Sequence, residues 1–100
     1  MAMKKYLVLC NFTEKGRAQI KESPLRLDQA TKTAWKALGC VLKDFYLLVG
    51  EYDIAIIVEA PDDHAAAALA LSIDSRGALR ARVQRAYAED EYREIIRSLS

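Results

Sequence analysis

The chain contains 100 residues, of which 52% are hydrophobic and 29% are charged, and its net charge is +1. This length provides for one hydrophobic core, so residues 1–100 are predicted to form a single domain. A nearly neutral chain has no overall field that attracts nucleic acid or an anionic membrane, and neither is expected as a partner.

The first residues do not predict a targeting signal. The apolar run from Tyr6 to Cys10 is too short for a secretory signal. No segment reaches the roughly 20 apolar residues of a membrane span. We therefore expect a cytoplasmic protein. Cys10 and Cys40 are far apart in the chain, which favours two small buried hydrophobic residues over the alternative of a redox pair.

The first third of the chain predicts a strand followed by two helices. Residues 5–12 read as a strand, and Thr13 is a suitable N-cap for a short helix that extends to about residue 21. Ser23 is predicted to cap a second helix, with Pro24 at its first position. The apolar stripe of this helix, which Gly39 ends, comprises Leu27, Ala30, Ala34 and Leu38 with Trp35 beside it.

A hairpin is predicted next, with strands on either side of a two-residue turn at Gly50 and Glu51 that has glycine first. Residues 40–49 form its first strand, and its second strand ends at Pro61. This turn sets Leu47 opposite Ile54 and Tyr46 opposite Ala55, so that apolar side chains agree across the pair.

The last third of the chain predicts a helix, a strand and a closing helix. Asp62 is a good N-cap for an alanine-rich helix that ends at Gly77. Residues 79–87 alternate between apolar and polar side chains, as a strand with one buried face does. The closing helix carries Tyr92, Ile95, Ile96 and Leu99 on one face.

The order β-α-β-β-α-β-α contains the ferredoxin-like βαββαβ unit, followed by a C-terminal helix. The predicted fold class is therefore α+β, an antiparallel sheet with helices on one face. The side chains expected under the helices are Val8, Cys10, Phe45, Leu47, Ile54, Ile56, Val58 and Val83.

The opposite side of the sheet, which we call the open face, is too apolar at its centre to be left in water. It comprises Leu7, Leu9, Asn11, Asp44, Tyr46, Leu48, Asp53, Ala55, Ile57, Glu59, Arg80, Arg82 and Gln84. The C-terminal helix is one candidate for covering part of it. We favour a second copy of the chain, packed sheet on sheet as a two-fold homodimer with a polar-lined cavity between the sheets.

Four segments carry a family resemblance: NFTEKG (11–16), IKESPLR (20–26), GEYDIAIIVEAPDD (50–63) and SRGALR (75–80). They resemble the corresponding stretches of the GYD domain family, and the motif residues are Gly50, Tyr52 and Asp53. The resemblance implies a ferredoxin-like, dimeric α+β-barrel protein and no particular activity. Proteins of related fold include cofactor-free monooxygenases, haem-binding enzymes and ligand domains of regulators, which is an analogy of fold alone.

The open face supplies the candidate ligand-binding residues. Arginine suits a carboxylate, tyrosine suits stacking, and asparagine and aspartate suit hydrogen bonds. The same residue types also serve as contacts across a dimer interface, which is the alternative interpretation. Gly50 and Tyr52 are interpreted as turn and packing residues. The five candidates are Asn11, Tyr46, Asp53, Arg80 and Arg82.

The remaining arginine, histidine and cysteine residues do not predict a further binding site. The arginines at 76, 80, 82 and 85 are interpreted as a solvated basic edge rather than a nucleic-acid site, because no aromatic platform accompanies them. His64 is expected to lie exposed at a helix start. No Cys, His and carboxylate group has metal-ligand spacing, so neither a metal nor a cofactor is predicted.

Three functions follow as hypotheses. The first is a homodimeric module that binds a small polar or aromatic ligand between its sheets. The second is a cofactor-independent oxygenase or isomerase that uses Tyr46, Asp53 and Asn11. The third is a structural assembly module without a ligand. Residue patterns do not decide whether the chain is an enzyme, nor do they identify a ligand.

Overall fold

The computed structural model describes residues 2–99. Its elements confirm the predicted α+β class and the βαββαβ order with a C-terminal helix. They are β1 (Lys4–Phe12), α1 (Glu14–Ala18), a 3-10 turn (Ile20–Glu22), α2 (Ser23–Lys32), α3 (Ala34–Ala37), β2 (Val41–Leu47), β3 (Ile54–Ala60), α4 (Asp63–Ser75), β4 (Leu79–Ala86) and α5 (Glu89–Arg97). Within this part of the chain, no helix has the length and apolar character needed to cross a membrane.

The four strands form one antiparallel sheet in the order β2-β3-β1-β4. Strand β1 pairs with β3 on one side and with β4 on the other. Leu47 lies opposite Ile54 and Tyr46 opposite Ala55, so the predicted hairpin register is confirmed. The register was predictable because side chains alternate with a period of two along both strands.

The predicted type of hairpin turn is wrong. A two-residue turn with glycine first needs a positive φ at Gly50. Among residues 2–99, the glycines with positive φ are Gly39 and Gly77. The hairpin instead closes through the loop 48–53, in which the Leu48 amide donates to the Asp53 carbonyl at 2.8 Å.

The core lies on one side of the sheet, between the sheet and the helices. Strand β3 alternates strictly, and its inward residues Ile54, Ile56 and Val58 are at most 2% exposed. Val8 and Cys10 of β1 are fully buried beside them. These positions confirm most of the predicted helix-side set.

Two members of that set are not buried. Phe45 and Leu47 lie on the helix side of β2, as predicted, but 40% and 70% of their surfaces remain exposed. The helices do not pack against this end of β2, so its apolar side chains border a cavity rather than filling the core.

The second predicted helix is divided at Thr33, which has a φ of −116° and a ψ of −83°. The hydroxyl groups of Thr31 and Thr33 donate to the carbonyls of Asp28 and Gln29, at 3.0 and 2.8 Å. Such local bonds bend helices, and the bend directs Trp35 into the core, where it is 2% exposed.

The predicted caps have different outcomes. The side chains of Thr13 and Asp62 accept the backbone amides of Gly16 and Ala65, at 3.1 and 2.9 Å, which confirms both caps. The prediction for Ser23 is wrong, because the 3-10 turn runs directly into α2 and makes Ser23 part of the helix.

Strand β2 contains one irregularity. Leu42 lies opposite Val58, whereas Asp44 already lies opposite Ile57, so Lys43 is an extra residue with no partner on β3. The pairing of the hairpin is therefore regular only from Asp44 to Leu47.

Both cysteines are buried and neither forms a disulfide. Burial raises the pKa of the Cys10 thiol to about 12, with a smaller contribution from the charge of Asp74. Burial also raises the pKa of Cys40. Both thiols are therefore neutral at physiological pH, in agreement with their interpretation as small hydrophobic residues.

The start of α1 lies directly against the loop before β4. The Thr13 amide donates to the Ala78 carbonyl at 3.0 Å. A Cβ atom on Gly16 would lie 2.1 Å from that same carbonyl oxygen. Only glycine permits this approach, because the obstruction is backbone that cannot rotate away.

We expect Gly16→Ala to lower the free energy of unfolding by about 2 kcal/mol or more, because the overlap outweighs the roughly 1 kcal/mol that alanine contributes within a helix. Gly50→Ala is the matched control. It has no atom within 4 Å of its added Cβ and should change stability by less than about 0.5 kcal/mol. Urea unfolding of the two variants measures both effects, and equal stabilities would contradict the prediction.

Candidate functional site

The open face has the composition that the sequence predicts. Its residues on β1 and β3 are half-buried, and its polar residues on β2 and β4 are exposed. The strand registers arrange the central apolar side chains as two cross-strand pairs, Leu7 with Ile57 and Leu9 with Ala55. The open face is thus an apolar centre between two polar margins.

The five candidate ligand residues do not form one cluster within a single chain. Asn11 lies opposite Arg80, so these two are cross-strand neighbours. Tyr46 and Arg82 stand at the two ends of the neighbouring row, with Ala55 and Leu9 between them. Three strand spacings separate their backbones by about 14 Å. A small molecule bound to one protomer would therefore have to span the two central strands to contact both.

The fifth candidate, Asp53, is held by the end of β1. The Asp53 amide donates to the Cys10 carbonyl at 2.9 Å, and its carboxylate accepts the Phe12 amide at 2.9 Å. The carboxylate thus takes the place of the backbone carbonyl that would continue the β1–β3 ladder. Asn11 fixes the same loop by donating to the Glu51 carbonyl at 2.9 Å. These contacts give Asp53 a structural role, while a role in catalysis stays a prediction.

The motif glycine has no comparable constraint. Gly50 lacks a positive φ, and the space around it is open. Tyr52 is half-buried in the same loop. Of the three motif residues, Asp53 is the one whose side chain has a hydrogen-bond partner within residues 2–99.

The basic residues near Gly77 do not share one surface. Arg80 and Arg82 are exposed on the open face and take part in none of the ion pairs within residues 2–99. Arg85 points to the other side, where its guanidinium lies 4.3 Å from the ring centroid of Tyr87 and 3.2 Å from Glu91. Arg76 lies on the helix side as well.

A hydrogen bond between Tyr6 and Asp63 was not predicted from the sequence. The Tyr6 hydroxyl donates to the Asp63 carboxylate at 2.5 Å and ties β1 to the start of α4. Burial, together with this bond, raises the pKa of Tyr6 to about 12. The adjacent His64 is exposed, as expected. Within residues 2–99, no cluster of His, Cys, Asp and Glu is suited to a metal ion.

The sequence also did not reveal a cavity between the sheet and the helices, which we call the helix-side cavity. Its inner part has a volume of about 70 Å³. An outer part of about 260 Å³ adjoins it and reaches Leu47. Four polar residues line the inner part, namely Ser23, Arg26, Ser72 and Arg76. Its apolar wall includes Phe12, Leu27, Trp35, Phe45, Ile54 and Ile73.

The C-terminal helix does not bury its apolar stripe. Tyr92, Ile95, Ile96 and Leu99 are between 44% and 70% exposed. The ion pair of Arg85 with Glu91, and the bond from the Ala88 amide to Glu91 at 3.1 Å, attach the first turn of α5 to β4. This helix therefore leaves the centre of the open face uncovered.

The strand order, the one-sided helical layer and the C-terminal helix define a ferredoxin-like α+β domain. The model of the GYD domain matches residues 6–96, and the chain belongs to the GYD domain family. This confirms the resemblance seen in the sequence. Neither a curated protein nor a solved structure matches the chain significantly.

We expect Asp53→Ala to lower the free energy of unfolding by about 1–3 kcal/mol, because it leaves the Phe12 amide without its acceptor. Asp53→Asn retains a carbonyl oxygen at the same place and should cost less than half as much. Chemical denaturation at neutral pH compares the two. Equal losses for both variants would mean that the charge of Asp53, rather than its bond to Phe12, stabilises the loop.

Proposed function

We propose that this GYD domain protein is a homodimer whose open faces pack together, and that a small polar or aromatic ligand binds between its sheets. The observation that carries the proposal is the composition of the open face. Its centre is apolar and lies at the surface, whereas its margins are polar. Contiguous apolar patches with polar rims are typical of binding surfaces.

The pattern of the open face is complementary to itself. A two-fold axis parallel to the strands sets β1 of one protomer over β3 of its partner, and β2 over β4. Lys5 lies opposite Glu59 on the same side of the sheet as Leu7 and Leu9. The parallel axis therefore sets Lys5 over the partner's Glu59, and Leu9 over the partner's Ala55. Opposite charges meet, and a large side chain meets a small one.

An axis perpendicular to the strands is less favourable. It reverses the order of rows, so that Glu59 faces the partner's Asp53 and two negative charges meet in the interface. Like charges at such a position cost free energy that the parallel axis avoids. The parallel axis is therefore the arrangement that we propose.

The same arrangement assembles the candidate ligand residues. Tyr46 and Arg82 stand at opposite margins of one chain, but the parallel axis sets Tyr46 over the partner's Arg82. Arg80 lies on the next row of the same margin. Each end of the interface then offers an aromatic ring from one protomer and two guanidinium groups from the other, which suits a small aromatic or polar anion.

Charge reversal with mixing tests the dimer. We expect Lys5→Glu and Glu59→Lys each to weaken self-association, because each places two like-charged pairs in the homodimer interface. An equimolar mixture of the two variants should recover dimers, because every facing pair in the heterodimer is again opposite in charge. Neighbouring contacts within each chain do not change on mixing, so sedimentation velocity reports the contact between protomers alone.

Two outcomes would overturn the proposed arrangement. A wild-type chain that stays monomeric at micromolar concentration would exclude the shared face. The perpendicular axis would be favoured instead by two results together. Mixing the variants would not restore dimers, and Glu59→Lys would associate more tightly than the wild type.

Native mass spectrometry tests the ligand. We expect the wild-type dimer to carry added mass, and the double variant Arg80→Gln with Arg82→Gln to lose it. The matched control replaces two exposed helix-side lysines, Lys21→Gln with Lys36→Gln, and should keep it. A wild-type dimer without added mass would favour an assembly module that needs no ligand.

A further inference from the structure

The helix-side cavity is independent of the open face, because the sheet separates the two. Its existence follows from the incomplete helical layer, which leaves Phe45 and Leu47 exposed at the end of β2. Trp35 and Ile54, which are each 2% exposed, form its inner wall. The inner and outer parts adjoin, because Phe12, Leu27 and Phe45 line both of them.

The cavity is large enough for an organic ring. A cavity of about 150 Å³ lined by aliphatic and aromatic side chains stays dry and accepts benzene. The outer part of the helix-side cavity, at about 260 Å³, exceeds that volume. The inner part, at about 70 Å³, extends it by the space of a few methylene groups or a substituent.

The polar residues of the cavity are mainly cationic. Arg26 and Arg76 both line it. The guanidinium of Arg26 is positioned by bonds to the side chain and the carbonyl of Gln19, at 3.2 and 3.1 Å, and its charge is balanced by Glu22 at 3.5 Å. Arg76 takes part in none of the ion pairs within residues 2–99.

A second cation, Lys15, adds to the positive charge near Arg76. The ammonium of Lys15 donates to the Arg76 carbonyl at 3.3 Å, so both positive charges lie beside the same turn. The nearby carboxylate of Asp74 accepts a hydrogen bond from the Ala81 amide of β4 at 2.7 Å. The entrance therefore has the two positive charges of Arg76 and Lys15 and the one negative charge of Asp74, which leaves a net positive charge next to an apolar interior.

We propose that the helix-side cavity binds an apolar organic acid. Its aromatic or short aliphatic part occupies the space beside Trp35 and Phe45. Its carboxylate or sulfonate bonds to Arg76 at the entrance. This site is distinct from the one proposed between the sheets and does not depend on dimerisation.

Trp35 provides a direct measurement, because it is the only tryptophan of the chain. The probe is 8-anilino-1-naphthalenesulfonate, an aromatic sulfonate that accepts excitation energy from tryptophan. We expect saturable loss of Trp35 emission with a matching gain of probe emission. N-phenyl-1-naphthylamine, which lacks the sulfonate, serves as the neutral probe of nearly the same shape.

Three variants locate the bound probe. Ala30→Leu places a larger side chain inside the cavity and should lower the binding affinity of both probes at least about tenfold. Arg76→Gln changes an exposed residue. It should lower the binding affinity of the sulfonate about tenfold and leave the affinity of the neutral probe unchanged. Arg82→Gln removes the same charge from the opposite side of the sheet and should affect neither probe.

The proposal is overturned if Arg82→Gln is the only variant that lowers the affinity of the sulfonate, since the probe then binds to the open face. It is also overturned if Arg76→Gln lowers the affinity of both probes equally, or of neither, because Arg76 would then not recognise the anionic group. The second criterion holds even if Ala30→Leu fails to fold, since the Arg76 variant does not alter the core.

Discussion

The double pairing of β1 is the constraint on which the rest of the structure depends. Because β1 bonds to β3 on one side and to β4 on the other, the orientation of its side chains fixes the orientation on all three strands. Val8 and Cys10 face the helices and are fully buried, which leaves Leu7 and Leu9 on the other side. The helices of a chain of this length cover one side of the sheet only. The two proposed binding surfaces are the consequences of that limit, one on each side.

The two surfaces differ in how they would recognise a partner. On the open face, charges of both signs alternate around an apolar centre, which suits a surface of the same pattern. In the helix-side cavity, both charged lining residues are arginines and most of the wall is apolar, which suits a small amphipathic anion. A single sheet thus separates the proposed site for another protomer from the proposed site for a small molecule.

Much of the fold could be predicted from the sequence, because period-two alternation and helix caps are local signals. They established the strand register at Tyr46 and the cap at Asp62. Local signals failed where distant groups decide the outcome. The sequence could not reveal that no helix packs against Phe45 or that Asp53 replaces a backbone acceptor. For the candidate site, the pattern could assign its residues to one face of the sheet, but the separation between them depends on the strand order.

The irregularity in β2 has a consequence for how copies of the chain can associate. Sheets tend to grow when the outermost strand of one molecule bonds to that of another, which leads to fibres and aggregates. Here Lys43 interrupts the regular backbone pattern on one edge. On the other edge, the Asp74 side chain already occupies the Ala81 amide. With both edges obstructed, open-ended growth is disfavoured, and assembly through the faces of the sheets can stop at a closed pair.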